Sequence, residues 1–377
     1  MRWVPLMLGA FLNVCTAVQA APAVATIERS HWPERLDSPV LFDVASRAQI
    51  LLFSRSLMAS QSQDEAALAA RLGLRTVNLP AIEQLRQRLW QRLWLGFDQA
   101  QQSCEQDASF CYAIDSEADL RAQAATLAID PDSFYAGFAV PGQVFSETYL
   151  DELLRLAAVL PQTSSEVELF SEQELDGSQF NDRVFVLTFE NGPSAVQGPT
   201  DALTDYLRKQ KLTATFFVLG QALQSRVQRT SKAQVQALYA DHCVGSQGWQ
   251  YVSHGQWDHW QDSVLRSVAL LQADLPDSYV PLFRPPYGQR RADSGPFFAG
   301  LGMKVALWNI DGKDDDSRLS SQQAGERVLS LMLLWRKGII VLHDSQTKAQ
   351  TVVPWLLDQT AQTGVTWQDC TQIEQTQ

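Results

Sequence analysis

Residues 183–194 read R-V-F-V-L-T-F-E-N-G-P-S, and the rest of the chain is understood from them. Val184, Phe185, Val186, Leu187 and Phe189 make a nearly unbroken apolar, β-rich run that stops at Gly192-Pro193. A strand buried on both faces and ended by a turn has this appearance. Glu190 and Asn191 therefore fall at the carboxyl end of a buried strand. In sheets flanked by helices, ligands bind and chemistry happens at that end.

Similar strand-like runs follow at Ala214–Leu219, Cys243–Ser246, Tyr279–Phe283, Val305–Ile310, Gly338–Leu342 and Val365–Trp367. Helical segments lie between most of them, among them Asp201–Lys209, Ala233–Ala240, Val264–Leu275, Gln323–Arg336 and Val352–Thr360. The alternation predicts an α/β fold with a mainly parallel sheet wrapped by helices, and fits a closed barrel and an open sheet equally. Upstream, residues 24–160 read as a separate α-helical domain. Asp43 opens a helix over Val44–Ala59, Asp64–Leu72 is stopped by Gly73, and Ser116 with Asp119 resembles a capping box before a helix to about Ile129. A further helix covers Glu147–Leu160. After Pro80, Ile82, Leu85, Leu89, Leu93 and Phe97 repeat at three and four, with Trp90 and Trp94 widening a stripe expected to be core. Residues 161–182 are rich in Ser, Gln, Glu and Asp and read as a linker to the domain at 183–377.

With 377 residues and 45% hydrophobic content the chain has room for two domains with real cores. A net charge of -12 with no compensating basic block argues against nucleic acid and anionic membrane surfaces as partners. Residues 1–20 read as a signal peptide: Arg2, an apolar run from Trp3 to Val14, then Val18-Gln19-Ala20 before the cleavage point. The run is shorter than the ~20 apolar residues of a spanning helix, so the expected product is exported, periplasmic or secreted, with no membrane span after cleavage. Cys104, Cys111, Cys243 and Cys370 remain, an even set in a disulfide-permissive compartment. Cys104 with Cys111 would close a short loop, and Cys243 with Cys370 would tie an inner strand to the last one; free thiols are the alternative for the second pair.

The T-F-E-N-G-P core resembles the T-F-D-D-G-P motif of the polysaccharide deacetylase family, also called the NodB-homology or carbohydrate esterase 4 family. Thr213–Gly220 looks like its A-T-F-F-V-x-G strand, and Arg284-Pro285-Pro286-Tyr287-Gly288 like its R-x-P-Y-G motif. Asp311-Gly-Lys-Asp314-Asp315 resembles D-x-x-D-W, and Leu342-His343-Asp344 the segment that carries the acid histidine. The resemblance covers about Arg183 to Cys370 and implies a distorted (β/α) barrel of the NodB type. It implies catalytic roles for Glu190 as base, Arg284 as its partner, Asp311 in support and His343 as acid, with Pro286, Tyr287 and Gly288 binding substrate.

The implied metal site is where the sequence departs. The family's ligands are the second Asp of the first motif and two His of H-x-x-x-H. Here Asn191 replaces the Asp, and the His positions are Gln247 and Tyr251 when counted from the strand side, or Gln250 and His254 when counted from the following helix. The first register keeps the strand-to-site spacing and is preferred. In both, an amide replaces the anion and another the first imidazole, and neutral amides are poor zinc ligands. No cofactor is expected, unless an altered site holds zinc or another divalent metal; Glu190, His254 and His259 are the residues for such a relocated site. Glu190 is one methylene longer than Asp, and Asp315 stands in place of Trp. The expectation is a deacetylase-like protein with impaired catalysis that binds a glycan or a cell-envelope protein. The alternative is an active hydrolase deacetylating N-acetylated glycan, of the chitin or peptidoglycan type, through its altered site.

Overall fold

A computed structural model describes residues 22–30 and 32–373, so the signal-peptide reading lies outside the described residues. Five helices come first: α1 (Pro39–Gln61), α2 (Glu65–Leu72), α3 (Leu79–Ala100), α4 (Glu117–Thr126) and α5 (Ala136–Ala158). Asp64 caps α2 and Gly73 ends it in a left-handed conformation, and Ser116 caps α4. Two expectations need correction. The cap of α1 is Ser38, ahead of Pro39 in the first turn, while Asp43 lies inside the helix as a buried charge partner. Helix α5 begins well before Glu147 and runs through Pro141. No helix among the described residues is long and apolar enough to cross a membrane.

The sheet is parallel throughout. It comprises β1 (Glu174–Leu175), β2 (Val184–Gly192), β3 (Thr215–Val218), β4 (Cys243–Ser246), β5 (Tyr279–Phe283), β6 (Lys304–Ala306), β7 (Ile310–Asp311), β8 (Gly338–His343) and β9 (Thr366–Trp367). The spatial order is β1-β6-β5-β4-β3-β2-β8-β7, with β9 also pairing β2. The run expected as one strand, Val305–Ile310, is split between β6, next to the β1 edge, and β7 at the other end of that order. The three intervening residues thus cross from β6 to β7, and Asn309 secures the seam by accepting the Ile339 N–H at 3.0 Å and donating to the Lys337 carbonyl at 3.0 Å.

Strand alternation sorts β2 into two faces. Phe185, Leu187 and Phe189 pack outward into the helix layer; Val186 packs inward with Phe217, Leu282, Ala306, Trp308, Ile339 and Val341. The covering helices are α6 (Pro199–Lys209), α7 (Gly220–Arg229), α8 (Lys232–Leu238), α9 (Trp260–Asp274), α10 (Gly295–Gly300), α11 (Ser321–Trp335) and α12 (Ala349–Thr360). Helix α11 is buried from Ala324 to Trp335, because the barrel lies on one side and α1 and α3 on the other. A helix buried on every side needs partners for its polar residues, and Arg327 finds them in the Ala25 carbonyl and Glu152. The helical region and the barrel therefore share one apolar core, to which Trp90 contributes fully and Trp94 partly.

Polar contacts cross the same boundary. Asp43 accepts from Arg183 at 2.6 Å and lies 2.9 Å from Arg336, which also pairs with Asp182 at 2.7 Å. The segment 161–182, expected as a linker, is packed as well: it supplies β1, and its Glu174 binds the buried Arg290. Its Ser164, Glu174 and Asp176 are buried hydrogen-bonding partners, which composition cannot distinguish from solvated residues.

Both cysteine pairs are disulfides, Cys104–Cys111 across 7 residues and Cys243–Cys370 across 127. In the chain-entropy model such loops are worth about 2 and about 5 kcal/mol respectively. Urea unfolding of Cys370→Ser is expected to show a much larger loss of midpoint than Cys104→Ser; equal losses would mean that the long loop is not constrained as the fold implies.

Candidate functional site

The barrel mouth is built around Arg284, which follows β5 and is completely buried. Its Nε donates to the Ala306 carbonyl at 3.0 Å, Nη1 to Thr188 Oγ1 at 2.7 Å and Nη2 to the Leu307 carbonyl at 3.1 Å. Burial lowers its pKa to about 10, with Glu190 opposing, so it remains a cation. Glu190, 3% exposed, places Oε2 3.8 Å from Arg284 Nη1 and Oε1 3.4 Å from His343 Nε2.

His343 ends β8 directly opposite Glu190 in the β2–β8 register. Its Nδ1 is 2.7 Å from Asp314 Oδ1, and its backbone N–H donates to Asp314 Oδ2 at 3.1 Å. Burial opposes a charged imidazole here, but the hydrogen bonds and charges of Asp314 and Glu190 outweigh it and hold the pKa well above the usual histidine value. Asp344 lies behind the mouth, accepting from Thr200 Oγ1 at 2.8 Å, and burial pushes its carboxyl up to about 7. A Cβ at Gly192 would lie 2.0 Å from this carboxylate, so only glycine fits where β2 ends.

The β2–β3 register shifts between Glu190 and Gly192, and Asn191 adopts the left-handed region at φ +71°. Asparagine tolerates that conformation better than most residues. Asn191 then pairs reciprocally with Gln247, beyond β4: its backbone N–H donates to Gln247 Oε1 at 2.8 Å, and Gln247 Nε2 donates to Asn191 Oδ1 at 2.8 Å. Tyr251 stacks obliquely on Tyr287 at 4.5 Å, and burial, followed by the charge of Glu190, raises its phenol pKa.

Thus Asn191 and Gln247 meet, with Tyr251 beside them. Gln250 is exposed, and His254 faces away, with Nε2 3.2 Å from Ser263 Oγ and its ring against Phe283 and Trp257. Burial lowers the His254 pKa to about 4. His259, 73% exposed, pairs with Asp262, so a metal site of Glu190, His254 and His259 does not form. Asp311 binds Lys313, through Nζ at 2.6 Å and the backbone N–H at 2.9 Å, instead of bonding Arg284. Pro286–Gly288 form a tight turn that leaves Tyr287 half exposed at φ +60°.

Sequence reading did not single out Asp314, although it lies in the quoted motif; spacing gave no sign that it, and not Asp311, would meet the histidine. It also passed over Glu166, in the supposed linker, whose carboxyl burial pushes up to about 7. Glu166 borders a cavity of about 680 Å³ that runs from Glu190, His343, Tyr251 and Tyr287 to Leu85, Leu89 and Leu153 of the helical region. The family's metal does not fit the donors at its own position. Asn191 and Gln247 offer neither an anion nor an imidazole, and their polar atoms satisfy one another.

Residues 177–306 match the family model described as polysaccharide deacetylase. That segment is similar to the polysaccharide deacetylase family, and so are the relatives it aligns with. The chain is 28% identical over 234 residues to the peptidoglycan-N-acetylmuramic acid deacetylase PdaC of Bacillus subtilis, covering 57% of this chain and 44% of that protein. With a peptidoglycan-N-acetylglucosamine deacetylase of Bacillus cereus it shares 26% over 177 residues, 46% of this chain and 78% of the other. Among solved structures, BA3943, a carbohydrate esterase 4 pseudoenzyme from Bacillus anthracis, aligns with a TM-score of 0.47 at 18% identity, over 54% of this chain and 69% of that one.

The raised His343 pKa has a definite sign. Its contribution to stability is fully present below the unfolded value of about 6.5 and is lost as pH rises through the folded value. In an NMR titration the wild-type imidazole is expected to stay protonated well above pH 6.5, and in Asp314→Asn to titrate at lower pH. Coincident curves would exclude Asp314 as its support.

Proposed function

We propose that this chain is an exported polysaccharide deacetylase-like protein that binds an N-acetylated glycan at the barrel mouth without deacetylating it by the family's metal route. The reciprocal amide pair of Asn191 and Gln247 carries this reading. An amide pair cannot bring the pKa of a water near neutrality, as a bound metal does. The remaining groups suit recognition of a neutral polar ligand: the half-exposed Tyr287 ring backed by Tyr251, with Trp308 lining the cavity. Aromatic faces of this kind offer apolar contact to sugar rings beside hydrogen-bonding groups. A cell-envelope protein presenting such a glycan is the accompanying partner class, and the leader-like sequence and the peptidoglycan deacetylases among the relatives support a periplasmic or secreted location.

The second reading, an active hydrolase with an altered site, draws on the retained pair Glu190 and His343, 3.4 Å apart. Glu190 would take a proton from water and His343 would give one to the leaving amine. The two readings separate on acetate release from chitin oligomers and peptidoglycan fragments, measured with and without added zinc.

The expected result is oligomer binding by calorimetry, no acetate, and affinity about tenfold weaker in Tyr287→Ala. Acetate release abolished by Glu190→Gln and His343→Ala would overturn the first reading in favour of the second. Absence of oligomer binding would overturn the glycan assignment itself. Asn191→Asp/Gln247→His/Tyr251→His is expected to gain a zinc ion at the family position; failure to do so would place the ligand positions elsewhere.

A further inference from the structure

The cavity that opens at the mouth is unevenly charged. Its barrel end carries Glu190, Asp311 and Asp315, and Glu166 belongs with them, because a Cβ at Gly288 would lie 3.3 Å from its Oε2. Its other end lies between α3 and α5 and carries arginines instead. We propose that this helical end is a second subsite, in which Arg88 and Arg155 receive a carboxylate carried as a substituent on the glycan. The inference rests on the glycan-binding reading and adds an acidic group to the ligand.

Helical spacing builds the subsite. Leu85, Arg88 and Leu89 recur at three and four along α3, and Glu152, Arg155 and Leu156 do so along α5, so each helix turns apolar and charged side chains into the same space. All of these lie outside residues 177–306, the segment that matches the family model. A volume of about 680 Å³ is well within the ~300–1,000 Å³ of small-molecule pockets, and a sugar ring against Tyr287 would occupy the barrel end only. The helical end is left for what that sugar carries.

The two arginines have unused donors. A guanidinium has five N–H groups. Among the described residues, Arg88 gives one to the Val167 carbonyl at 2.9 Å and Arg155 gives one to the Leu72 carbonyl at 3.0 Å, and neither forms an ion pair with a carboxylate. The acids beside them are engaged elsewhere: Glu152 by Arg327 at 2.7 Å, Asp151 by Arg71 at 2.7 Å, and Asp176 by Ser178 at 2.6 Å and Arg92 at 3.8 Å. Arg88, Arg92, Arg155 and Arg327 against Glu152 and Asp176 leave two positive charges lining this end, in a chain whose net charge is -12.

Those charges fix the direction of binding. A carboxylate turned toward the barrel would face Glu190 and Asp315, and like charges repel. Turned toward the helices, it meets guanidinium groups, which hold carboxylates through paired N–H donors. Leu85 and Leu156 offer apolar contact to the carbon atoms that join the acid to its sugar.

Calorimetry on the full-length protein compares a chitin oligomer, which is neutral, with two peptidoglycan oligomers of the same length. One is freed of peptide, so that its lactyl carboxylates are exposed; the other keeps the peptide and its carboxylates. At least one acidic oligomer is expected to bind about tenfold tighter than chitin, and the one that gains identifies the acid. Arg88→Gln/Arg155→Gln is expected to remove that gain while changing chitin affinity by less than about twofold, in a protein with an intact melting transition. Arg88→Lys/Arg155→Lys is expected to keep part of it. In wild type the gain is expected to shrink at high salt, a test that needs no variant.

Acidic oligomers binding no tighter than chitin, a gain that survives Arg88→Gln/Arg155→Gln, or a gain indifferent to salt would each overturn the subsite and leave the glycan-binding reading standing. Failure of every oligomer to bind would overturn that reading, and the subsite with it.

Discussion

The Arg284 guanidinium holds the barrel mouth together. It is fully buried and charged, and its three hydrogen bonds run to the carbonyls of Ala306 and Leu307 at the seam and to Thr188 on β2 across the barrel. An unpaired cation in that position would be strongly destabilising, so the inward end of β2 must carry an anion. Glu190 supplies it. The identity of the residue at 190 is constrained by Arg284 whatever chemistry the protein performs, and a retained acid there is no proof of catalysis. The same holds one step further on, since Glu190 in turn lies against His343.

The amide pair changes the character of the mouth on its other side. Asn191 and Gln247 satisfy each other through two hydrogen bonds of 2.8 Å, so this corner has little remaining demand for a cation. Negative charge is concentrated instead around His343, where Glu190, Asp314 and Asp315 gather. Tyr251 adds bulk and an aromatic face beside the pair.

Strands were legible because a strand buried on both faces leaves a long apolar run with turn residues at its end, and β2, β3, β4, β5 and β8 all fell where such runs occur. The split of β6 from β7 was hidden because the sequence is apolar throughout and only the closure of the sheet divides it. Capping logic located α2 and α4 but chose Asp43 over Ser38 for α1, since an aspartate in a first turn and a buried aspartate paired with Arg183 and Arg336 look alike in one dimension. At the site, motif order brought Glu190, Arg284 and His343 together. It did not distinguish Asp311 from Asp314 as the histidine's partner, because both lie within four residues and loop geometry decides which one turns inward.

The shared core has a bearing on the order in which the molecule can assemble. The amino-terminal helices leave the ribosome first, but the helix that fills the space between them and the barrel, α11, is among the last elements made. Arg29 donates to Ser330, 301 positions further along, and Arg327 reaches back 302 positions to the Ala25 carbonyl. Contacts this distant in sequence are closed late, after the loop entropy between them has been overcome. During synthesis, then, the helical region is an incomplete shell with an open apolar face, and cannot be treated as a module that folds and waits for the barrel. Its fold is completed from the far end of the polypeptide.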